Sequence, residues 1–409
     1  MVKELYVIKE KEISLNVTQS KIDSIKKKEV TKSGCRIYKD GYIGIAGTLG
    51  EATSDTWKKA EENLKNKVPY EFEPCKNMKR IRDLRVDNMS IEQFINVAEE
   101  FLKVLREEYS NFIFSNKIKL IEKEVTLKND VGLDLKSIDR YFQTELMVKE
   151  KESINIIDTD LSGNARTFNK EDLLKLAKET LGNYTNMVSV PKEKKVPIIA
   201  RPLELINKIV SELDGSKLGS GASIFNDKIN KKVFSEKFTL YLDRSNENIM
   251  VPFFDSEGST LEEDKLKLID EGVIKLGYTD KRTADKYKVQ NTAAASSEYD
   301  EVSSISQLSY NENIFSVNTS NKTLSEIIGD KDAIYVAEMA GGDCTNEGIF
   351  SSPVQSAYLV SGGKIVGRLP EFNIRGNIYD MFGKDYLGVS KEKYYTGENL
   401  VILNMEVTL

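Results

Sequence analysis

Residues 189–202 read SVPKEKKVPIIARP, three prolines and a run of basic residues close to the middle of the chain. Proline fixes its own φ and restricts the residue before it, and clustered ammonium groups resist burial. The segment therefore reads as a linker, with one unit over residues 1–190, the connection over 191–202 and a second unit over 203–409. Length agrees, because 409 residues exceed what one ordinary hydrophobic core organises.

Upstream of the prolines, strand and helix patterns mix. Leu5 and Val7, then Ile13, Leu15 and Val17, alternate as half-buried strands do. In CRIYKDGYIGIAGT, Asp40-Gly41 supplies a positive-φ turn between two strands of a hairpin. A helix follows, with Ser54 or Asp55 expected as N-cap and Trp57, Ala60 and Leu64 on one face. Ser90 and Gln93 make a capping-box pattern ahead of the stripe Phe94, Ala98, Phe101, Leu102 and Leu105. Strands are expected over 112–114, 117–121, 124–127 and 153–157, and another helix from Asn169 to the stop at Gly182. Downstream, one helix over 203–213 gives way to short strands and glycine turns. The expected fold class is α+β: an N-terminal domain of antiparallel sheet with helices, then a β-rich, barrel-like C-terminal domain.

The net charge of −6 argues against a dedicated nucleic-acid binder, which needs a basic surplus to neutralise phosphates. No apolar run approaches the ~20 residues of a membrane-spanning helix. The opening MVKELYVIKEKE lacks the apolar core of a signal peptide. Cys35, Cys75 and Cys344 lie far apart, as in a reducing compartment, so the cytoplasm is the expected location. The chain has no histidine. That excludes Ser–His–Asp, Cys–His and HExxH mechanisms for this chain by itself.

Four places combine residue types that can carry chemistry. Asp255, Glu257 and Gly258 offer a carboxylate pair, although acid followed by glycine is also what a tight turn requires, and the turn is favoured. Gly341, Gly342 and Asp343 precede Cys344; with no histidine to activate the thiol, a turn beside a packed strand is favoured. Asn377, after Gly376, reads as a turn or helix start. Glu204 and Glu212 flank the 203–213 helix and read as solvated acids, and the basic runs Lys26–Lys28 and Lys192–Lys195 as solvated loops. Asp255, Glu257, Gly258, Gly341, Gly342, Asp343 and Asn377 are kept as candidate peptide-cavity residues, with no catalytic or metal-ligating residue among them.

SGCRIYKDGYIGIAGT, the stretch from VPFFDSEGS to YTDKRTA, and AGGDCTNEGIFSSPVQSAYLVSGGKIVGRLPEFNIRGNIYDMFG follow one another in the order of the TldD/PmbA family's motifs. The chain resembles that family over nearly its whole length. The resemblance implies a two-subunit metallopeptidase acting on small or unfolded peptides. Its TldD-like subunit carries HExxxH on the helix after the linker, two imidazoles holding zinc while the glutamate takes a proton from bound water. The histidine positions fall here among Leu205, Ile206, Val210 and Ser211, and the C-terminal ligand region LGVSKEKYYTG has no cysteine. The implied role is that of the PmbA (TldE)-like subunit: no cofactor in this chain and zinc in a TldD-like partner. The strand edges and apolar residues of 349–350, 357–360 and 365–369 are expected as exposed surface that a partner covers, so a homodimer is expected in isolation. A stand-alone peptidase with an unrecognised site and a binding module for a DNA-topology protein, after the family's name as modulator of DNA gyrase, are the competing readings.

Overall fold

The computed structural model of the chain describes residues 1–86, 88–297, 302–394 and 398–409. The N-terminal half begins with β1 (Val2–Thr18), β2 (Lys21–Lys39), β3 (Tyr42–Leu49) and helix α1 (Ser54–Asn63). The short strands β4 (Val68–Pro69) and β5 (Met78–Asp83) and helix α2 (Ile91–Glu108) follow. The half ends with β6 (Phe112–Asn129), β7 (Leu133–Glu150), β8 (Thr159–Ala165) and α3 (Lys170–Thr180). They form one sheet in the order β4-β3-β2-β1-β6-β7-β5, with β8 also on β7. Its pairings are antiparallel except β5 on β7.

Local chemistry sets most of the boundaries. Asp40 and Gly41 take φ of 50° and 77° and turn β2 into β3. Ser90 Oγ accepts from the Gln93 N–H at 3.1 Å and Gln93 Oε1 from the Ser90 N–H at 2.8 Å, closing the capping box of α2. Asn169 caps α3. Helix α1 is capped by Thr53 in a box with Thr56, not by Ser54 or Asp55, which lie inside it. The strands expected over 112–127 are one strand, β6, and Lys26–Lys28 lie on the exposed part of β2 rather than in a loop. Residues 153–157 are not a strand. Asp158 accepts from the Glu150 N–H, Ser153 Oγ and Asn155 Nδ2, which folds the chain into a tip that holds Ile154 and Ile156 out in solvent.

The C-terminal half opens with β9 (Lys195–Ala200), α4 (Pro202–Glu212) and α5 (Gly215–Ser220). A lobe of short pieces comes next: β10 (Leu240–Asp243), β11 (Lys265–Asp270), β12 (Val273–Ile274), α6 (Lys281–Tyr287), β13 (Ala295–Ser296), β14 (Gln307–Leu308), β15 (Phe315–Val317) and α7 (Leu324–Ile328). Then come β16 (Ala333–Met339), β17 (Asp343–Cys344), β18 (Ile349–Ser361), β19 (Lys364–Arg368), β20 (Phe372–Asn377), α8 (Ile378–Met381), β21 (Tyr386–Tyr394) and β22 (Glu398–Thr408). The path β16-β9-β22-β20-β18 returns to β16, so five strands close into a barrel. The α+β class with a barrel in the second half is what the pattern predicts.

Within the segment read as a linker, residues 195–200 form β9, parallel to β16 and antiparallel to β22, with Val196 to Ala200 buried. Pro197 is tolerated, and after Lys195 the strand is apolar because both its faces are covered. Ile198 packs in one core cluster with Ile334, Val336 and Leu403, while Ile199 packs in another with Tyr335, Ile402 and Phe142 of the N-terminal sheet. Burying one such side chain stabilises the fold by ~1.5–3 kcal/mol. Core therefore runs continuously from one half into the other. The apolar residues of 349–350, 357–360 and 365–369, expected as exposed strand surface, are also mostly interior: Phe350, Ala357, Tyr358, Val360, Ile365 and Leu369 are buried. Among the described residues, no helix is long and apolar enough to cross a membrane.

Arginines fasten the halves together. Arg36, 1% exposed, donates to the Ser256 carbonyl and lies 3.4 Å from Glu4, whose carboxylate also accepts from Tyr38 Oη at 2.8 Å. Arg80 grips Asp264, Arg82 donates to the Arg244 and Val251 carbonyls, and Arg166 holds Asp139 with two bonds while reaching the Asn246 and Asn248 carbonyls. Replacing Arg36 with alanine leaves Glu4 buried and unneutralised. We expect Arg36→Ala to destabilise the chain by about 3–5 kcal/mol, read as a lower urea midpoint.

Candidate functional site

Helix α4 starts at Pro202, whose missing N–H costs nothing in a first turn, and turns Leu205, Ile206, Ile209 and Val210 into the core. Leu205, Ile206 and Val210 are three of the four positions at which the sequence resemblance places metal ligands. They are 2%, 0% and 0% exposed and offer no donor atom. The fourth, Ser211, accepts from Lys217 Nζ at 2.7 Å. These residues do not fit a zinc ion. Among the described residues, no group of three or more Cys, Asp or Glu gathers as a metal would require. The C-terminal ligand stretch is partly β21; its residues 395–397 lie outside the described residues.

Glu212 is not a solvated acid. It is buried, and its carboxylate meets Lys208 at 2.9 Å, Lys217 at 3.6 Å and the Ile224 N–H at 3.0 Å. Burial opposes ionisation there, but these partners outweigh it and hold the carboxyl below the usual glutamate range. It anchors the end of α4 to the following loop.

Beside the opposite end of α4 lies a cleft of about 500 Å3, bordered by Glu204, Asn207 and Lys208 of the helix and by Glu338, the 341–344 turn and Phe350. Gly341 and Gly342 have φ of 88° and 146°, which side-chain-bearing residues rarely adopt. Ser352 Oγ donates to the Gly341 carbonyl at 2.6 Å and pins the turn to β18. Burial raises the Cys344 thiol above its usual pKa, with Lys208 only partly opposing, so the sulfur is a protonated wall group rather than a thiolate nucleophile. Gly341, Gly342 and Asp343 thus sit where a cavity exists. Glu338 and Lys208 complete it, and their sequence positions give no sign of this, since they come from segments far apart in the chain.

Asp255, Glu257 and Gly258 are elsewhere, in the seam between the halves. Asp255 Oδ1 accepts from the N–H groups of Glu257 and Ser259 at 3.0 and 2.8 Å, and Oδ2 from that of Ala295 at 3.1 Å. Gly258, at φ of 77°, ends against Leu127 and Leu133, 3.0 and 2.9 Å from where a Cβ would stand. The motif is a turn, as its sequence suggests, but a buried one driven into the N-terminal sheet. Glu257 Oε1 accepts from Tyr70 Oη at 3.0 Å and Oε2 from the Lys281 N–H at 3.1 Å. Asn377 lies outside the cleft lining. Its Oδ1 caps α8 by accepting from the Tyr379 N–H at 3.0 Å, and its Nδ2 donates to the Glu347 carbonyl.

Comparison with known proteins gives the family and the fold. Residues 194–404 match the family described as PmbA/TldA metallopeptidase C-terminal domain, which is more than half of the chain. The chain belongs to the TldD/PmbA family. A TldD/PmbA fold over the full length is seen in its likeness to TldE from Thermococcus kodakarensis, with a TM-score of 0.79, 19% identity and coverage of 100% of this chain and 96% of that one. A Thermotoga maritima structure described as a modulator of a DNA gyrase gives a TM-score of 0.76 at 19% identity, with the same coverage. A protein of Archaeoglobus fulgidus named metalloprotease is 19% identical over 92% of this chain and 89% of its own length. The protein is therefore a peptidase-family chain.

Burial, reinforced by the Asp255 carboxylate, pushes Glu257 up to about 7 from an ordinary 4.5. A carboxyl raised in the folded state binds a proton that the unfolded chain has already lost. Its contribution is fully present below about pH 4.5 and is lost as pH rises through about 7. We expect Glu257→Gln, which keeps the Tyr70 bond without a charge, to gain stability relative to the wild type between about pH 5 and about pH 8. Parallel thermal melts across that range check it; a constant difference would contradict the buried, raised carboxyl.

Proposed function

We propose that this chain is the non-catalytic, PmbA/TldE-like subunit of a peptidase that cleaves small or unfolded peptides. What supports the reading is that Leu205, Ile206 and Val210 of α4, where the resemblance would put metal ligands, are core side chains packed with the barrel. A zinc ion and its activated water would then belong to a TldD-like partner. This chain would contribute the partner surface and a wall of the peptide cavity, the cleft beside α4 with Gly341, Gly342 and Asp343 at its rim. Peptide could lie there in extended form, its main chain recognised without regard to sequence. The exposed isoleucines Ile154 and Ile156, held on a hydrogen-bonded tip, supply apolar surface for a subunit contact. Without its partner the chain is expected to pair with itself.

The test is direct. The purified chain should hold less than about 0.1 zinc per molecule and should not cleave casein or short peptides; an HExxxH-bearing relative should co-purify with it and restore chelator-sensitive cleavage. One tightly bound zinc per chain with its own proteolysis would favour a stand-alone peptidase. A strictly monomeric chain that ignores such a relative would remove the subunit role.

A further inference from the structure

Strand β2 runs for 19 residues, but β3 pairs with it only from Lys32 to Lys39. The Gly50 N–H adds one more bond, to the Thr31 carbonyl at 2.8 Å. Before that point β1 covers one side of β2, and among the described residues no strand covers the other side over residues 21–30. In an antiparallel strand the N–H and C=O of one residue point to the same side, and the side alternates from residue to residue. The Thr31 carbonyl points away from β1, and the β1–β2 register is unbroken from Val2↔Tyr38 to Asn16↔Ser24. The N–H and C=O groups of Glu29, Lys27 and Ile25 therefore point away from β1 as well, into solvent. Residues 23–29 are all exposed, Ile25 by 51%.

This edge is basic in an acidic chain. Residues 21–32 hold five lysines and two acids, whereas the whole chain carries a net charge of −6. Lys28 is answered by Glu10 at 2.9 Å, and Glu29 by Lys11 at 3.4 Å. Lys21, Lys26 and Lys27 make no ion pair among the described residues. Lysines on a strand edge guard it against aggregation, and they do so by repelling like charge. A second copy of this chain, pairing here about a two-fold axis, would bring two lysine runs together and is opposed. The same lysines attract an acidic strand, and the unpaired backbone groups can then bond it.

We propose that the outer edge of β2 over residues 21–30 docks an extended acidic segment of a partner protein. The segment adds to the sheet as one more strand, bonded to Ile25, Lys27 and Glu29 through the main chain, with its carboxylates beside Lys21, Lys26 and Lys27. The inference stands apart from the non-catalytic reading, since none of these residues lines the cleft beside α4.

Fluorescence anisotropy on the full chain tests it with four labelled probes. They are a short peptide of alternating glutamate and valine, its counterpart with lysine for glutamate, the acidic peptide N-methylated throughout, and an oligothymidylate. The acidic peptide should bind at one site per chain, and the lysine and N-methylated peptides about 10-fold more weakly or not at all. Lys27→Pro removes an outward donor and a cation but no bond to β1, a place where an edge strand tolerates proline. It should weaken the acidic peptide by about 10-fold. The double change Lys26→Glu and Lys27→Glu, at two exposed positions, should reverse the preference toward the lysine peptide. If Lys27→Pro does not fold, the double variant and the N-methylated probe on the wild type decide. No binding of the acidic peptide, equal binding of its N-methylated form, tighter binding of the oligothymidylate, or a preference unchanged by the double variant would overturn the proposal.

Discussion

Four guanidinium groups leave the N-terminal half and end on backbone carbonyls or a carboxylate of the C-terminal half. Arg36 meets Ser256, Arg80 meets Asp264, Arg82 meets Arg244 and Val251, and Arg166 meets Asn246 and Asn248. Removing arginine from water is expensive unless its donors are used, and the planar fork uses several at once. Arg244 repeats the device inside the C-terminal half, with the Ala293, Pro252 and Phe254 carbonyls around it. Neutral carbonyls take up several of the donors without bringing as many negative charges indoors, although the Nε groups of Arg36 and Arg82 are buried without a partner. The buried turn Asp255–Ser259, the raised Glu257 and the position of the lobe over the long sheet all follow from this seam. The seam is also why the two halves share cores instead of meeting through a loose joint.

Local chemistry was legible in the sequence wherever a few neighbouring residues decide the outcome. Asp40-Gly41, Ser90 with Gln93, and Asn169 each mark an element edge correctly because the capping or turn geometry spans only four residues. What depends on distant partners was not legible. Residues 195–200 look like a proline-broken basic linker, yet they are a barrel strand, because Ile198 and Ile199 have cores waiting on opposite faces. Ile154 and Ile156 alternate like a strand, and Asp158 bends them into a tip.

The candidate site divides in the same way. The apolar character of α4 is plain in the sequence, and so is the mismatch between Leu205, Ile206 and Val210 and any metal. The Gly341-Gly342 turn is identified as a turn, but only the fold reveals that Glu338 and Lys208 stand across a cleft from it. Glu212 reads as a solvated acid and Glu257 as part of a turn, and their burial follows from contacts with residues such as Ile224 and Tyr70 that no spacing rule connects to them.

The barrel has one further consequence. Its closing neighbours are β9, near the middle of the chain, and β22, which lies between β9 and β20. The register joins Val401 to Ala200 and Glu406 to Lys195, a separation of about two hundred residues. On the ribosome, β9 emerges long before its antiparallel neighbour exists, and its inward apolar face must wait for β22 to be made. The long N-terminal ribbons, which pair with strands near them in the chain, can assemble at once and cover the outward face of β9. Synthesis order therefore makes the first half a template on which the second half is held open until β22 arrives, and it makes closure of the barrel a slow, non-local step that cannot precede β22.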